Sequence, residues 1–103
     1  MSPNRSAAAE QPEALEDPAR SVFCLSLRSG AEIGVMARVV QTLARRSLMP
    51  SRWHSAAAGE HLLTDVQILG LSPGEGELLA EALRQIVGVE EVLTSRFARR
   101  SAA

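Results

Sequence analysis

The chain has 103 residues, of which 46% are hydrophobic and 22% are charged, and its formal net charge is −1. These values suit one small domain with a modest core, and the near-neutral charge argues against a general nucleic-acid-binding protein. No apolar stretch approaches the ~20 residues of a membrane-spanning helix, and the N-terminus lacks a secretory signal, so we expect a cytoplasmic protein without a membrane partner. Cys24 is the single cysteine, which excludes an internal disulfide and a metal site made of cysteines.

The first 20 residues differ in composition from the rest of the chain. They contain three of the five prolines and one large aliphatic residue, Leu15. Such a stretch buries too little apolar surface to offset the entropy lost on ordering, so we expect residues 1–20 to be a disordered tail. The remaining chain divides into a domain over residues 21–98 and a frayed C-terminus over residues 99–103.

The first half of the domain has the pattern strand, helix, strand. Residues 22–28 alternate between an apolar and a mixed face, which predicts a strand. Pro50 precedes a weak strand over residues 51–58, whose alanines and neighbouring proline are typical of a sheet edge. Between these strands, residues 34–46 show the periodicity of an amphipathic helix whose buried face is predicted to contain Met36, Val39, Val40, Leu43 and Ser47.

The second half of the domain has the same strand, helix, strand pattern, with a third strand over residues 62–71 and a fourth over residues 89–97. Between them Ser72 and Glu75 form the sequence pattern of a capping box, which predicts a helix start. Gly88 is predicted to end this helix with a left-handed cap. The predicted buried face of the helix consists of Leu78, Leu79, Ala82, Leu83 and Ile86.

The element order is therefore βαββαβ. It predicts an α+β fold, the ferredoxin-like sandwich, in which two helices cover one face of a four-stranded antiparallel sheet. The predicted core consists of Phe23, Leu25, Val39, Leu43, Val66, Ile68, Leu79, Leu83 and Ile86.

No group of residues in the sequence supports catalysis, so we expect a protein that is not an enzyme and has no cofactor. His54 and His61 lie seven residues apart without further ligands at suitable spacing, so no metal site is expected. Asp65 is predicted to lie beside His54 across a hairpin. The three aromatic residues are too few for an RNA-binding sheet face, so we expect no nucleic-acid partner.

The stretch GVMARVVQTLARRSL, residues 34–48, resembles the first-helix signature of ACT domains. It is most similar to that of the short small (regulatory) subunit of acetolactate synthase, and GVEEV at residues 88–92 resembles the start of the last strand in that family. The positions that carry the helix resemblance are Gly34, Val35, Arg38, Val39, Arg45 and Arg46.

This resemblance implies a regulatory protein of branched-chain amino-acid synthesis whose partner is the catalytic subunit of acetolactate synthase. It also implies an amino-acid effector bound at the loop before the first helix, by Ala31, Glu32, Ile33, Gly34, Val35 and Met36. The family's Asn-x-Pro-Gly motif is replaced here by Ala-Glu-Ile-Gly, so we expect a weak response to valine or none. Partner binding is assigned to Arg45, Arg46, Arg52 and Trp53, with an ordinary solvated surface as the alternative for the arginines.

Domains of this family pair edge to edge, and the predicted second strand is an edge with few charges to protect it, so we expect a homodimer through that strand. Two functions remain open. The chain is either the regulatory subunit of acetolactate synthase or a free-standing, homodimeric ACT-like sensor or adaptor for another enzyme.

Overall fold

A computed structural model of the chain describes residues 20–98, and the predicted tail and frayed C-terminus fall almost wholly outside them. The sheet has the strand order β2-β3-β1-β4, in which every neighbouring pair is antiparallel, and this confirms the predicted ferredoxin-like fold. The elements are β1 (Ser21–Gly30), α1 (Ile33–Arg45), β2 (Arg52–Ala58), β3 (His61–Leu69), α2 (Pro73–Arg84) and β4 (Val89–Ala98).

The core lies between the two helices and the sheet face that they cover. Alternation along β1 places Phe23, Leu25 and Leu27 in this layer, as the sequence predicts. Every residue of the predicted core is buried except Ile86, which is half-buried and packs against the same cluster. None of the helices described within residues 20–98 covers the opposite sheet face, here called the open face, whose side chains are both polar and apolar.

The buried face of α1 is rotated relative to the prediction. Val35 and Thr42 are buried together with Val39 and Leu43, whereas Val40 is 48% exposed. The predicted face did not include Thr42, whose side chain is polar. Its hydroxyl donates to the Arg38 carbonyl oxygen at 2.8 Å, and this bond within the helix allows the hydroxyl to be buried.

The start of α2 confirms the predicted capping box. The Glu75 backbone N–H donates to Ser72 Oγ at 3.2 Å, and the Ser72 backbone N–H donates to Glu75 Oε1 at 2.9 Å. The bond from the Ser72 N–H to the carboxylate holds the pKa of Glu75 below its ordinary value.

The buried face of α2 differs from the prediction at Leu78, which is 68% exposed. The face that meets the sheet consists of Gly76, Leu79, Ala80 and Leu83. Gly76 lies so close to the Phe23 ring that an added Cβ would lie 2.6 Å from Phe23 Cε1. The helix therefore approaches the sheet through small residues, which a pattern of large aliphatic residues does not reveal.

The prediction that Gly88 caps α2 is wrong. The helix ends at Arg84, and Gly88 lies in the turn before β4 with φ of 101°. An added Cβ at this glycine would lie 2.6 Å from Val35 Cγ2, so both its backbone conformation and its close packing against α1 require glycine.

The turn after α1 sets the path into β2. Ser47 has φ of 56°, the Leu48 N–H donates to the Leu43 carbonyl at 3.0 Å, and the Ser47 N–H donates to the Ala44 carbonyl at 2.9 Å. These two bonds form the Schellman pattern that ends many helices. The chain then enters β2, which pairs with β3 and forms one edge of the sheet, as predicted.

Candidate functional site

The predicted ligand loop is a two-residue connection, Ala31 and Glu32, between β1 and α1. The Gly30 N–H donates to the Gly88 carbonyl at 3.0 Å, and the Ala31 N–H donates to the Glu60 carbonyl at 3.2 Å. The loop is therefore fixed to the turn before β4 and to the β2–β3 turn, and three turns meet at this end of the sheet.

The first turn of α1 is open to solvent. Glu32 occupies the N-cap position, and its side chain makes no capping hydrogen bond. Within the described residues, the backbone N–H groups of Ile33 and Gly34 have no acceptor. A helix start of this kind favours a carboxylate or another anion, although the Glu32 carboxylate already adds negative charge at this place.

The six predicted ligand residues differ in accessibility. Ala31, Glu32 and Gly34 are exposed, and Ile33 is 80% exposed. Met36 is half-buried, whereas Val35 is only 2% exposed and packs into the core. A ligand at this loop would thus contact backbone N–H groups and the exposed side chains. Val35 is buried and would not contact the ligand directly.

Arg38 stabilises the same end of the molecule. Its Nη1 donates to the Val87 carbonyl oxygen at 3.4 Å and thereby links α1 to the turn before β4. The contact gives this arginine of the helix signature a structural role.

A charged cluster lies beside the loop on the open face. Arg28 pairs with Glu90 at 3.1 Å and with Glu91 at 3.4 Å, and His61 Nδ1 lies 3.2 Å from the same Glu90 carboxylate. All four side chains are about half exposed, so each pair contributes little to stability. Two carboxylates share one arginine here, so the cluster offers no unpaired cation to a ligand at the loop.

A second candidate surface lies at the other end of α1, along the β2 edge. A cavity of about 400 Å³, here called the edge groove, is lined chiefly by apolar side chains. Met49 is 81% exposed on its rim, and the Trp53 Nε1–H donates to Ser55 Oγ at 3.0 Å. The principal lining residues are Val40, Leu43, Leu48, Met49, Pro50 and Trp53.

The structure does not bring the four predicted partner residues into one patch. Trp53 lines the edge groove, whereas Arg52 precedes it in β2 and therefore points to the open face. Arg45 is exposed in the last turn of α1. Arg46 lines a separate cavity of about 280 Å³ between the end of α1 and the start of α2, here called the helix-end groove.

The open face contains a polar cleft that sequence reasoning did not identify as a unit. The predicted proximity of His54 and Asp65 is confirmed, because they are register partners. They form no ion pair in the described part of the chain, and Asp65 Oδ1 accepts from Ser26 Oγ at 2.8 Å. Arg52 and Cys24 line the same cleft, which has a volume of about 370 Å³, and burial raises the pKa of the Cys24 thiol.

Two classes of site are not found within residues 20–98. No group of three or more histidine, cysteine, aspartate and glutamate side chains is arranged to hold a metal ion. None of the described helices is long and apolar enough to cross a bilayer.

The fold and the exposed start of α1 define a ferredoxin-like module with a tethered loop at one end. The model of the ACT-like domain matches residues 18–101, and this chain belongs to that family. Domains of this family are regulatory modules that bind small molecules. No curated protein sequence matches the chain.

Solved structures support the fold. The ACT domain of GTP pyrophosphokinase from Chlorobium tepidum is similar with a TM-score of 0.64 and 12% identity, over 72% of this chain and 96% of that domain. The C-terminal domain of MgtC from Mycobacterium tuberculosis has a TM-score of 0.64 and 20% identity, over 85% and 99% respectively. The regulatory subunit of aspartate kinase from Thermus thermophilus has a TM-score of 0.58 and 18% identity, over 75% of this chain and 51% of that subunit.

Proposed function

We propose that this chain is a non-catalytic regulatory subunit that binds the catalytic subunit of acetolactate synthase and raises its activity. The family supports a regulatory module, and the helix signature at residues 34–48 supports the choice of enzyme. The single observation that carries the binding role is the edge groove beside the outer strand β2. An exposed strand edge next to an apolar groove offers backbone hydrogen bonds and burial of apolar surface to a partner.

The chemistry of this surface fits a protein partner. Val40 and Met49 are exposed large apolar side chains on the groove, and Arg45 lies on the exposed last turn of the same helix. Apolar groups surrounded by charged ones are typical of an interface with an apolar centre and a polar rim. The partner would bury Met49 and place acidic groups near Arg45.

We propose that the protein responds weakly or not at all to valine. Ala31 occupies the position of the family's asparagine, so no side-chain amide is available there to bind an amino-acid ligand. The Glu32 carboxylate at the helix start would repel a ligand carboxylate. An effector that makes no differential contacts cannot shift the affinity for the enzyme, even when the enzyme itself binds tightly.

The test mixes the full chain with the catalytic subunit from its own organism and follows acetolactate formation with and without valine. We expect the rate to rise on mixing and valine to change it by less than about twofold, since a coupling of one kcal/mol or more would give about fivefold or greater. An unchanged rate on mixing would contradict the subunit role. Strong inhibition by valine would contradict the proposal for the loop.

The second candidate is a free-standing homodimeric sensor or adaptor for another enzyme. The observation that favours it is the composition of the β2 edge, where Ala56, Ala57 and Ala58 are exposed and small. Two copies can approach closely along such an edge and form an isologous dimer. Light scattering at tens of micromolar checks this: a discrete dimer supports edge pairing, and a monomer counts against it.

A further inference from the structure

The edge groove and the helix-end groove are separate cavities that share one lining residue, Leu48. The Leu48 N–H donates to the Leu43 carbonyl at 3.0 Å, and its half-buried side chain packs against the core. The end of α1 and the core therefore hold this side chain in place. Because the two grooves adjoin at Leu48, a partner bound in one of them lies next to the other.

The helix-end groove is apolar at its base and on its rim. Leu71 is 3% exposed, and its carbonyl accepts from Arg96 Nη1 at 2.7 Å, which fixes this part of the wall. Leu78 is 68% exposed although it lies on a helix that packs against the core. Arg46 and Glu75 add one charge of each sign, so the groove favours neither an acidic nor a basic partner. The contact that it favours is an apolar side chain.

The edge groove alone is small for a stable complex. Eight residues line it, whereas each partner in a stable interface contributes about 20–30 residues. A catalytic subunit bound there must therefore cover adjoining surface. On the other side of β2 that surface is the open face, where Arg52, His54 and Asp65 line the polar cleft. The centre of an interface is depleted of charged residues, which favours extension toward the helix-end groove instead.

We propose that the partner bound at the edge groove also covers the helix-end groove, so that Met49 and Leu78 are buried by the same protein. This inference rests on the proposed function and adds a second contact region to it. The catalytic subunit would present two apolar contacts, one on each side of Leu48, and would cross the C-terminal end of α1 between them. The open face would stay outside this interface.

The first test applies one substitution to two leucines that are both exposed. Leu78→Asp places a charge on the rim of the helix-end groove. Leu93→Asp is the matched control on β4, where the side chain is 57% exposed and pairs in register with Ser26 on the open face. In calorimetric titrations with the catalytic subunit, we expect Leu78→Asp to raise the Kd about tenfold and Leu93→Asp to leave it unchanged. Equal Kd values for the two variants would overturn the proposal.

Footprinting of the wild-type chain gives a second readout that does not depend on the folding of a variant. Hydroxyl radicals modify side chains that solvent reaches, so the free protein should be labelled at Met49, Leu78 and Leu93. The catalytic subunit should reduce labelling at Met49 and Leu78 but not at Leu93. Protection of Met49 without Leu78 would overturn this inference and leave the proposed function intact. Failure of the wild-type chain to bind the catalytic subunit would overturn both.

Discussion

The two helices begin in opposite ways. At α2, Ser72 and Glu75 exchange two hydrogen bonds with each other's backbone N–H groups. At α1, Glu32 provides no side-chain acceptor, and within residues 20–98 the N–H groups of Ile33 and Gly34 have no acceptor. A capped start stabilises its helix from local sequence alone, whereas an uncapped start leaves donors for an outside group. The capping box therefore stabilises α2 from within its own sequence, whereas the start of α1 depends on contacts made elsewhere in the fold.

The largest effect should come from the buried face of α2. Leu83 is 0% exposed, so Leu83→Ala should destabilise the fold by about 2–5 kcal/mol through the cavity it leaves. Leu78→Ala on the same helix should change stability by less than about 0.5 kcal/mol because that side chain is exposed. Urea unfolding measures both, and similar values for the two variants would contradict the assigned helix face.

A smaller loss is expected where α2 approaches the sheet. Gly76→Ala places a methyl group 2.6 Å from the buried Phe23 ring and should cost about 1–3 kcal/mol by overpacking. Gly74→Ala is the matched control in the same turn, because its added Cβ meets no atom within 4 Å. The midpoint temperature of thermal unfolding should be lower for Gly76→Ala than for the wild type and the control. An unchanged midpoint in Gly76→Ala would contradict the close contact between Gly76 and Phe23.

The capping contrast itself predicts unequal losses at the two N-cap positions. Ser72→Ala removes the side-chain acceptor of α2 and should cost about 1 kcal/mol. Glu32→Ala should change stability by less than about 0.5 kcal/mol, since its side chain caps nothing. Chemical denaturation measures the free energy of unfolding of both variants. Equal losses of stability would contradict the difference in capping between the two helices.

The smallest effect has the opposite sign. Gly34 lies in the exposed first turn of α1, and an added Cβ meets nothing within 4 Å. Gly34→Ala should therefore stabilise the domain by about 0.5 kcal/mol through helix propensity. A clearly lower midpoint of urea unfolding for Gly34→Ala would contradict this prediction and show that the fold requires glycine at this position.

Features that depend on neighbouring residues were predictable from the sequence, whereas features that depend on distant residues were not. The capping box of α2 was predictable because both partners lie within four residues, and the alternation of β1 was predictable because one face of the sheet is buried. Leu78 was misplaced because the face of α2 depends on Phe23, which lies far away in the chain. Gly88 was misread because helix propensity alone does not locate the end at Arg84.

The candidate surfaces depend on contacts between distant residues to an even greater degree. Arg52 and Trp53 are adjacent in sequence, yet they point to opposite faces of the sheet. Arg96 lies in β4, yet its guanidinium binds Ser21, 75 positions earlier, and also the Ser72 carbonyl at the start of α2. Such placements follow from sheet order and register, which local patterns do not determine.

The most direct test of regulation through the edge groove is the rate of acetolactate formation at increasing concentrations of this protein. Met49→Asp places a charge on the groove rim, and Val87→Asp is the matched control in the turn before β4, outside the groove, where the side chain is 84% exposed. We expect Met49→Asp to require about tenfold more protein for the same increase in rate, and Val87→Asp to match the wild type. Identical curves for all three proteins, at any level of activation, would contradict a role for the edge groove.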